Sequence, residues 1–102
     1  MKDDFFYNEQ GAKVYTDPEK LPCLDLPEGQ TRYNVLSVGV MKPGIPTATI
    51  ETEEGPVCYR LPQSYYDWAA TCIALAVQIN RSMFPSKCIF THLKSRYYVD
   101  IL

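Results

Sequence analysis

A chain of 102 residues, 46% hydrophobic and 22% charged with a formal net charge of −2, has the makeup of one small soluble domain. It is too apolar and aromatic to be largely disordered, too near neutrality to bind polyanions non-specifically, and too short for most elaborate cofactor folds or for a second domain of ordinary size. Residues 1–102 are therefore read as a single domain, small enough that any face it leaves uncovered matters.

Met1 to Phe6 contain no basic stretch running into an apolar segment and a small-residue cleavage site, so the expected location is the cytoplasm. Cys23, Cys58, Cys72 and Cys88 are spaced by 35, 14 and 16 residues and form no close pair of the kind that holds zinc. They read as reduced, partly buried thiols, with a disulfide left open by the even count.

Seven of the eight prolines and all five glycines lie at or before Pro62, so the two parts of the chain must be built differently. Residues 1–30 form an acidic, proline-broken arm, expected to be irregular apart from a short strand near Lys13 to Thr16. Phe5, Phe6, Tyr7, Leu21, Leu24 and Leu26 require part of it to dock, since a large apolar side chain left in water costs about 1.5–3 kcal/mol.

Residues 31–102 carry the regular elements. Leu36, Val38 and Val40 alternate with Ser37 and Gly39 as a first strand, which runs into a type II turn at Lys42-Pro43-Gly44. Thr47 to Thr52 is a second strand, Glu53-Glu54-Gly55-Pro56 a turn, and Val57 to Leu61 a third strand. Ser64-Tyr65-Tyr66-Asp67 has the form of a helix start, and the helix is expected over about 64–84, where Pro85 stops it. Cys88 to Leu93 and Tyr97 to Leu102 then form a C-terminal hairpin around Lys94-Ser95-Arg96. The fold class is α+β: an antiparallel sheet of about five strands packed on one long helix, with the arm wrapped over it.

Between Trp68 and Ile79 only Thr71 and Gln78 are polar, too short a run to span a membrane. Trp68, Cys72, Leu75 and Ile79 share one helical face and are expected against the sheet. Ala69, Ala70, Ile73, Ala74, Ala76 and Val77 fall on the other faces, which need a cover. The arm is the first candidate, a homodimer through the alanine-rich helix face the second, and a foreign partner the third.

Catalytic chemistry has little to work with. Cys88 and His92 share a strand face, as a thiol and its base would, but the same pattern arises in an ordinary core and no oxyanion motif accompanies it. Glu51, Glu53 and Glu54 read as the solvated tip of a hairpin. No phosphate loop, zinc motif or calcium loop is present, so no catalytic residue, metal ligand or cofactor is assigned.

Charge and aromatic content point to recognition instead. Residues 1–67 carry −5 and residues 68–102 carry +3, the latter from Arg81, Lys87, Lys94 and Arg96 against Asp100. Tyr65-Tyr66 and Tyr97-Tyr98 are adjacent pairs, so the two rings of a pair cannot both face one core. Tyr65, Tyr66, Trp68, Lys94, Arg96, Tyr97 and Tyr98 are the candidate partner-binding residues, because Tyr, Trp and Arg dominate binding hot spots. The expected function is that of a non-enzymatic protein-binding module, an inhibitor, adaptor or modulator of another protein. A mobile-element protein of phage type that blocks a host enzyme fits that size and lack of machinery. A small nucleic-acid-binding protein using Lys87, Lys94, Arg96, Tyr97 and Tyr98 is the alternative, and a cysteine-dependent enzyme the third. The Phe84-Pro85 bond, placed between helix and strand, adds an expected dependence on a prolyl isomerase.

Overall fold

The computed structural model describes residues 5–8, 13–15, 20–42 and 44–102, with the backbone alone at 5–7 and 13–15. Its elements are β1 (Phe5–Asn8), β2 (Lys13–Tyr15), β3 (Gly29–Met41), β4 (Ile45–Thr52), β5 (Gly55–Arg60), α1 (Tyr66–Ile79), β6 (Ser86–Leu93) and β7 (Arg96–Ile101). Five strands in the order β5-β4-β3-β6-β7, all antiparallel to their neighbours, form the sheet on which α1 packs. The expected α+β architecture is the one observed.

The 13-residue β3 organises it. One edge of β3 is lined by β4, while β6 takes residues 29–35 of the other edge and β1 takes residues 39–41. The register with β4 slips between Val35 and Ser37, where an extra residue is accommodated as a bulge. Bulges bend and twist a strand, and here the curvature is visible in what the start of the helix touches. Gln63 donates from Nε2 to the carbonyl of Gly44, beyond one end of β3, and the Tyr65 hydroxyl donates to the carbonyl of Thr91, beside the other end.

The bulge also corrects the expected alternation. Val35 and Val38, paired with Ile50 and Ala48, face the core together, whereas Leu36 stands outside it in a groove with Asn34, Glu51, Pro85, Ser86 and Lys87. Without the extra residue, Leu36 would share a face with Val38 and Val40, as simple alternation requires.

The turns follow residue chemistry closely. Thr52 faces Gly55 across Glu53 and Glu54, both exposed, with the Thr52 hydroxyl donating to the Gly55 carbonyl and accepting from the Glu54 amide. At the β3–β4 turn the Gly44 amide donates to the Met41 carbonyl, which makes Gly44 the fourth residue of the turn and not the third; Pro43 lies outside the described residues.

The arm differs from the irregular segment expected of it. β1 and β2 pair with each other, β2 at the expected place, and extend the sheet along β3. The side chains of Phe5, Phe6 and Tyr7 lie outside the described residues. Pro22 to Leu26 crosses the helix-bearing face of the sheet beside α1: at the β5 edge the Leu24 amide donates to the Arg60 carbonyl and the Arg60 amide to the Pro22 carbonyl, and Tyr33 donates to the Asp25 carbonyl. Farther along, His92 of β6 meets the Leu26 carbonyl. Leu24 enters the core and Leu26 packs against it.

The helix starts from a 3-10 turn at Gln63–Tyr65, with Asp67 in its first turn and no capping bond from the side chain of Pro62 or Tyr65. It ends at Ile79, short of the expected Phe84. Asn80 adopts the left-handed conformation (φ 52°, ψ 43°), and the Arg81 amide bonds back to the Ala76 carbonyl, the closure that terminates a helix without proline. Ser82 then accepts from the Phe84 amide, Ser86 donates to the Met83 carbonyl, and the Phe84-Pro85 peptide bond is cis.

The helix is also rolled relative to expectation. Tyr65, Ala69, Cys72 and Ala76 are buried, Trp68 is half-buried against the core, and Leu75, Val77 and Ile79 are 41%, 57% and 58% exposed. The alanines expected to admit a second helix thus lie in part against the sheet, where small side chains let the helix sit close over bulky sheet residues. None of the described helices is long and apolar enough to cross a membrane.

Among the described residues, the non-glycines Asn80 and Lys94 have positive φ and test this geometry. Asn80→Gly is expected to leave thermal stability unchanged or slightly raised, and Asn80→Val to lower it by about 1–2 kcal/mol. Lys94→Gly should stabilise the β6–β7 turn by up to about 1 kcal/mol. Equal melting temperatures for Asn80→Gly and Asn80→Val would contradict the left-handed stop.

Candidate functional site

The proposed contact residues on strands can be placed by parity. The ring of Phe90 meets Tyr65 edge-on at 5.7 Å and Trp68 at 5.6 Å, so Phe90 faces the helix. Its neighbours Lys87, Ile89, Thr91 and Leu93 therefore point to the opposite side of β6. The register carries that parity across: Asn34 lies beside Lys87, Ile89 between Arg32 and Asp100, Thr91 between Gln30 and Tyr98, and Leu93 beside Arg96. Arg32, Lys87, Arg96, Tyr98 and Asp100 are all exposed there, giving a sheet face with three bases, one acid and a tyrosine that is 45% exposed, beside a fully buried Thr91.

The helix side uses the remaining aromatics. Tyr65 is 1% exposed, donates to the Thr91 carbonyl at 3.0 Å and meets Tyr97 edge-on at 5.5 Å. Tyr97 is half-buried and stacks on the His92 ring at 4.4 Å. Trp68 packs edge-on against Phe84 and Phe90, and Tyr33 against Phe90. Edge-to-face pairs of this kind contribute about 0.5–1.5 kcal/mol each beyond area burial.

The seven candidate residues therefore divide. Lys94, Arg96 and Tyr98 are on the surface; Tyr66 is half-buried, its ring lying over Gly44. Tyr65 is a correction: it is a core residue, inaccessible to a partner, because its hydroxyl finds a carbonyl inside the fold. Trp68 and Tyr97 are half-buried and engaged with core rings. Within each adjacent tyrosine pair one ring is in and the other is farther out, as the pairing required. Arg32 was missed; the signal for it was the polar alternation of Gln30, Arg32 and Asn34 ahead of the apolar part of β3.

The two sheet edges are unlike. The β5 edge is capped by Pro22 to Leu24, through bonds between the Leu24 amide and the Arg60 carbonyl and between the Arg60 amide and the Pro22 carbonyl. Arg60 also donates to the Cys23 sulfur at 3.3 Å. Among the described residues β7 pairs with β6 alone, so its outer edge is open.

Cys88 and His92 do share the helix-facing side of β6, but their surroundings oppose nucleophilic use. Cys88 is fully buried and burial pushes its thiol up to about 11, whereas a nucleophilic cysteine needs the opposite shift. The two ring nitrogens of His92 lie 3.3 Å and 3.2 Å from the carbonyl oxygens of Leu26 and Lys94. All four cysteines are free thiols, and no group of three or more potential metal ligands is assembled among the described residues. A depression bounded by Cys23, Asp25, Tyr33, Glu53 and Tyr59 lies beside the arm crossing; burial, and then the Asp25 charge, push the Tyr33 phenol up.

The chain matches no protein-family model, no curated protein and no solved structure.

Burial pushes the Tyr65 phenol from 10.0 up to about 12, with Tyr97 adding to the effect. Both Tyr65 and Cys88 are harder to ionise in the native state than in the unfolded chain. Their contributions are therefore intact below pH 9, and fall as the unfolded chain releases protons that the native state retains. Stability is expected to decline from about pH 9 to 11 for Cys88 and about pH 10 to 12 for Tyr65. Denaturant titrations at stepped pH should show this slope, reduced at its upper end in Tyr65→Phe, which also loses about 0.5–1.5 kcal/mol at neutral pH. A variant as steep as the wild type above pH 10 would show that another group carries the effect.

Proposed function

We propose that this chain is a non-enzymatic protein-binding module of the cytoplasm, acting as an inhibitor, adaptor or modulator of another protein. The observation that carries this reading is the exposure of Tyr98, between Arg96 and Asp100, on a strand whose outer edge has no partner among the described residues. An exposed tyrosine flanked by an arginine has hot-spot chemistry, and an open strand edge supplies main-chain donors and acceptors for a partner. A protein of mobile-element type that occupies a host enzyme is the specific form this takes for so small a chain.

Affinity capture from host lysate, compared between the wild type and Tyr98→Ala, tests the reading. Tyr98 is used because Tyr97 is packed on His92 and Tyr65, where truncation would disturb the fold. Tyr98→Ala is expected to keep the melting temperature and to weaken binding of the captured protein by about thirtyfold, the scale of a hot-spot residue. Undiminished capture would remove Tyr98 from the interface.

A second reading rests on the same face. Arg32, Lys87 and Arg96 share a sheet face with Tyr98, which suits phosphates with one stacked base. Affinity for a single-stranded oligonucleotide would then fall with salt along a logarithmic slope of roughly −2. Binding that ignores salt, or no binding, favours the protein partner.

A further inference from the structure

The outer edge of β7 is self-complementary. The Leu102 amide donates to the Lys87 carbonyl at 2.8 Å, and Leu93 faces Arg96 across the two-residue turn Lys94-Ser95. By alternation, the main-chain groups of Arg96, Tyr98 and Asp100 face β6, and those of Tyr97, Val99 and Ile101 face outward. The side chains of Arg96, Tyr98 and Asp100 all lie on the sheet face opposite the helix and are exposed.

A two-fold axis through Tyr98 turns this pattern onto itself. Tyr97 then stands opposite Val99 of the second copy and Val99 opposite its Tyr97, and these positions exchange main-chain hydrogen bonds. Tyr98 meets Tyr98, and Arg96 lies directly opposite Asp100 twice over. The charged and tyrosine pairs occupy non-hydrogen-bonded positions, where cross-strand side chains approach most closely. An axis at Val99 leaves no opposite-charge pair, and an axis at Tyr97 sets Asp100 opposite Lys94, which lies in the turn outside β7. We propose that β7 pairs antiparallel with β7 of a second copy, giving a dimer in which the two sheets run on as one and the face carrying Arg32 and Lys87 is doubled. This inference rests on the protein-binding reading of the β7 surface and names its partner as the chain itself.

The exposed Leu75, Val77 and Ile79 of α1 offer no comparable argument for their cover, and the alanines of that helix are partly occupied by the sheet. The β5 edge is already capped. β7 is thus the place where a second copy finds matching charge and matching main-chain groups together.

Sedimentation equilibrium of the full chain over a concentration series tests the pairing. The wild type is expected to dimerise, while Arg96→Asp and Asp100→Arg, tested separately, should each weaken the dimer on the order of tenfold or more, because two attractive pairs become repulsive. The variant carrying both substitutions should recover it, and so should an equimolar mixture of the two single variants, in which every cross-strand pair is again of opposite charge. Val99→Pro removes an outward donor without removing a bond to β6, and should yield a folded monomer. A monomeric wild type at every concentration overturns the proposal, as does a double variant or a mixture no stronger than the singles. If the wild type is monomeric but Tyr98→Ala still loses a captured protein, self-pairing fails and the protein-binding reading stands; a dimer with no captured partner has the reverse meaning.

Discussion

The curvature of β3 is the constraint on which the rest depends. A straight strand of 13 residues would extend about 40 Å, yet the start of the helix reaches the elements at both of its ends. The slip between Val35 and Ser37 allows this, by inserting a residue where the strand must bend. It also sends Val35 and Val38 to the same face, so the bend and the core are produced by one local event. Because β3 is long, β1 and β6 share a single edge of it, and the five-strand sheet ends at β5 and β7.

Within that curve the core is assembled around Phe90, whose ring meets Tyr33, Tyr65 and Trp68 edge-on. Four aromatic side chains occupy much of the space between sheet and helix, and this explains the roll of α1. Leucine and isoleucine at the inward positions would overfill a layer already thick with rings, at a cost of about 1–3 kcal/mol. Ala69, Cys72 and Ala76 fit instead, and Leu75 and Ile79 turn outward. The hydrophobic pattern of this helix therefore marks its apolar character correctly but not its orientation, since periodicity ranks positions by polarity and carries no information on the volume available opposite them.

The same distinction separates what was legible in the sequence from what was not. The succession of elements along the chain, the Glu53-Glu54 hairpin tip, the helix start near Ser64 and the final hairpin were legible because each depends on neighbours in the chain, whereas the pairing of β3 with β6 was not. The bulge at β3 was not, since Leu36, Val38 and Val40 form a plausible alternation and only the register with β4 reveals the extra residue. The end of the helix was obscured by Pro85: proline is the stronger breaker, but Asn80 in a left-handed conformation acts first. In the candidate site, Arg96 and Tyr98 were legible from composition, whereas excluding Tyr65 needed the carbonyl of Thr91 across the fold, and finding Arg32 needed the register with β6.

Among the described residues the two edges of the sheet are covered unequally. Pro22 to Leu24 precedes β3 and returns along β5, so that edge is closed by a segment whose Leu24 also serves the core. The other edge is made by the last strand, and among the described residues nothing returns along it. Edges in monomeric proteins are usually blunted by charges, proline or bulges. β7 has no proline and no register slip, and its exposed charges, one positive and one negative, sit symmetrically about Tyr98. A strand running the opposite way with the same sequence would set opposite charges against each other at both positions, and this complementarity is what the proposed pairing of β7 rests on.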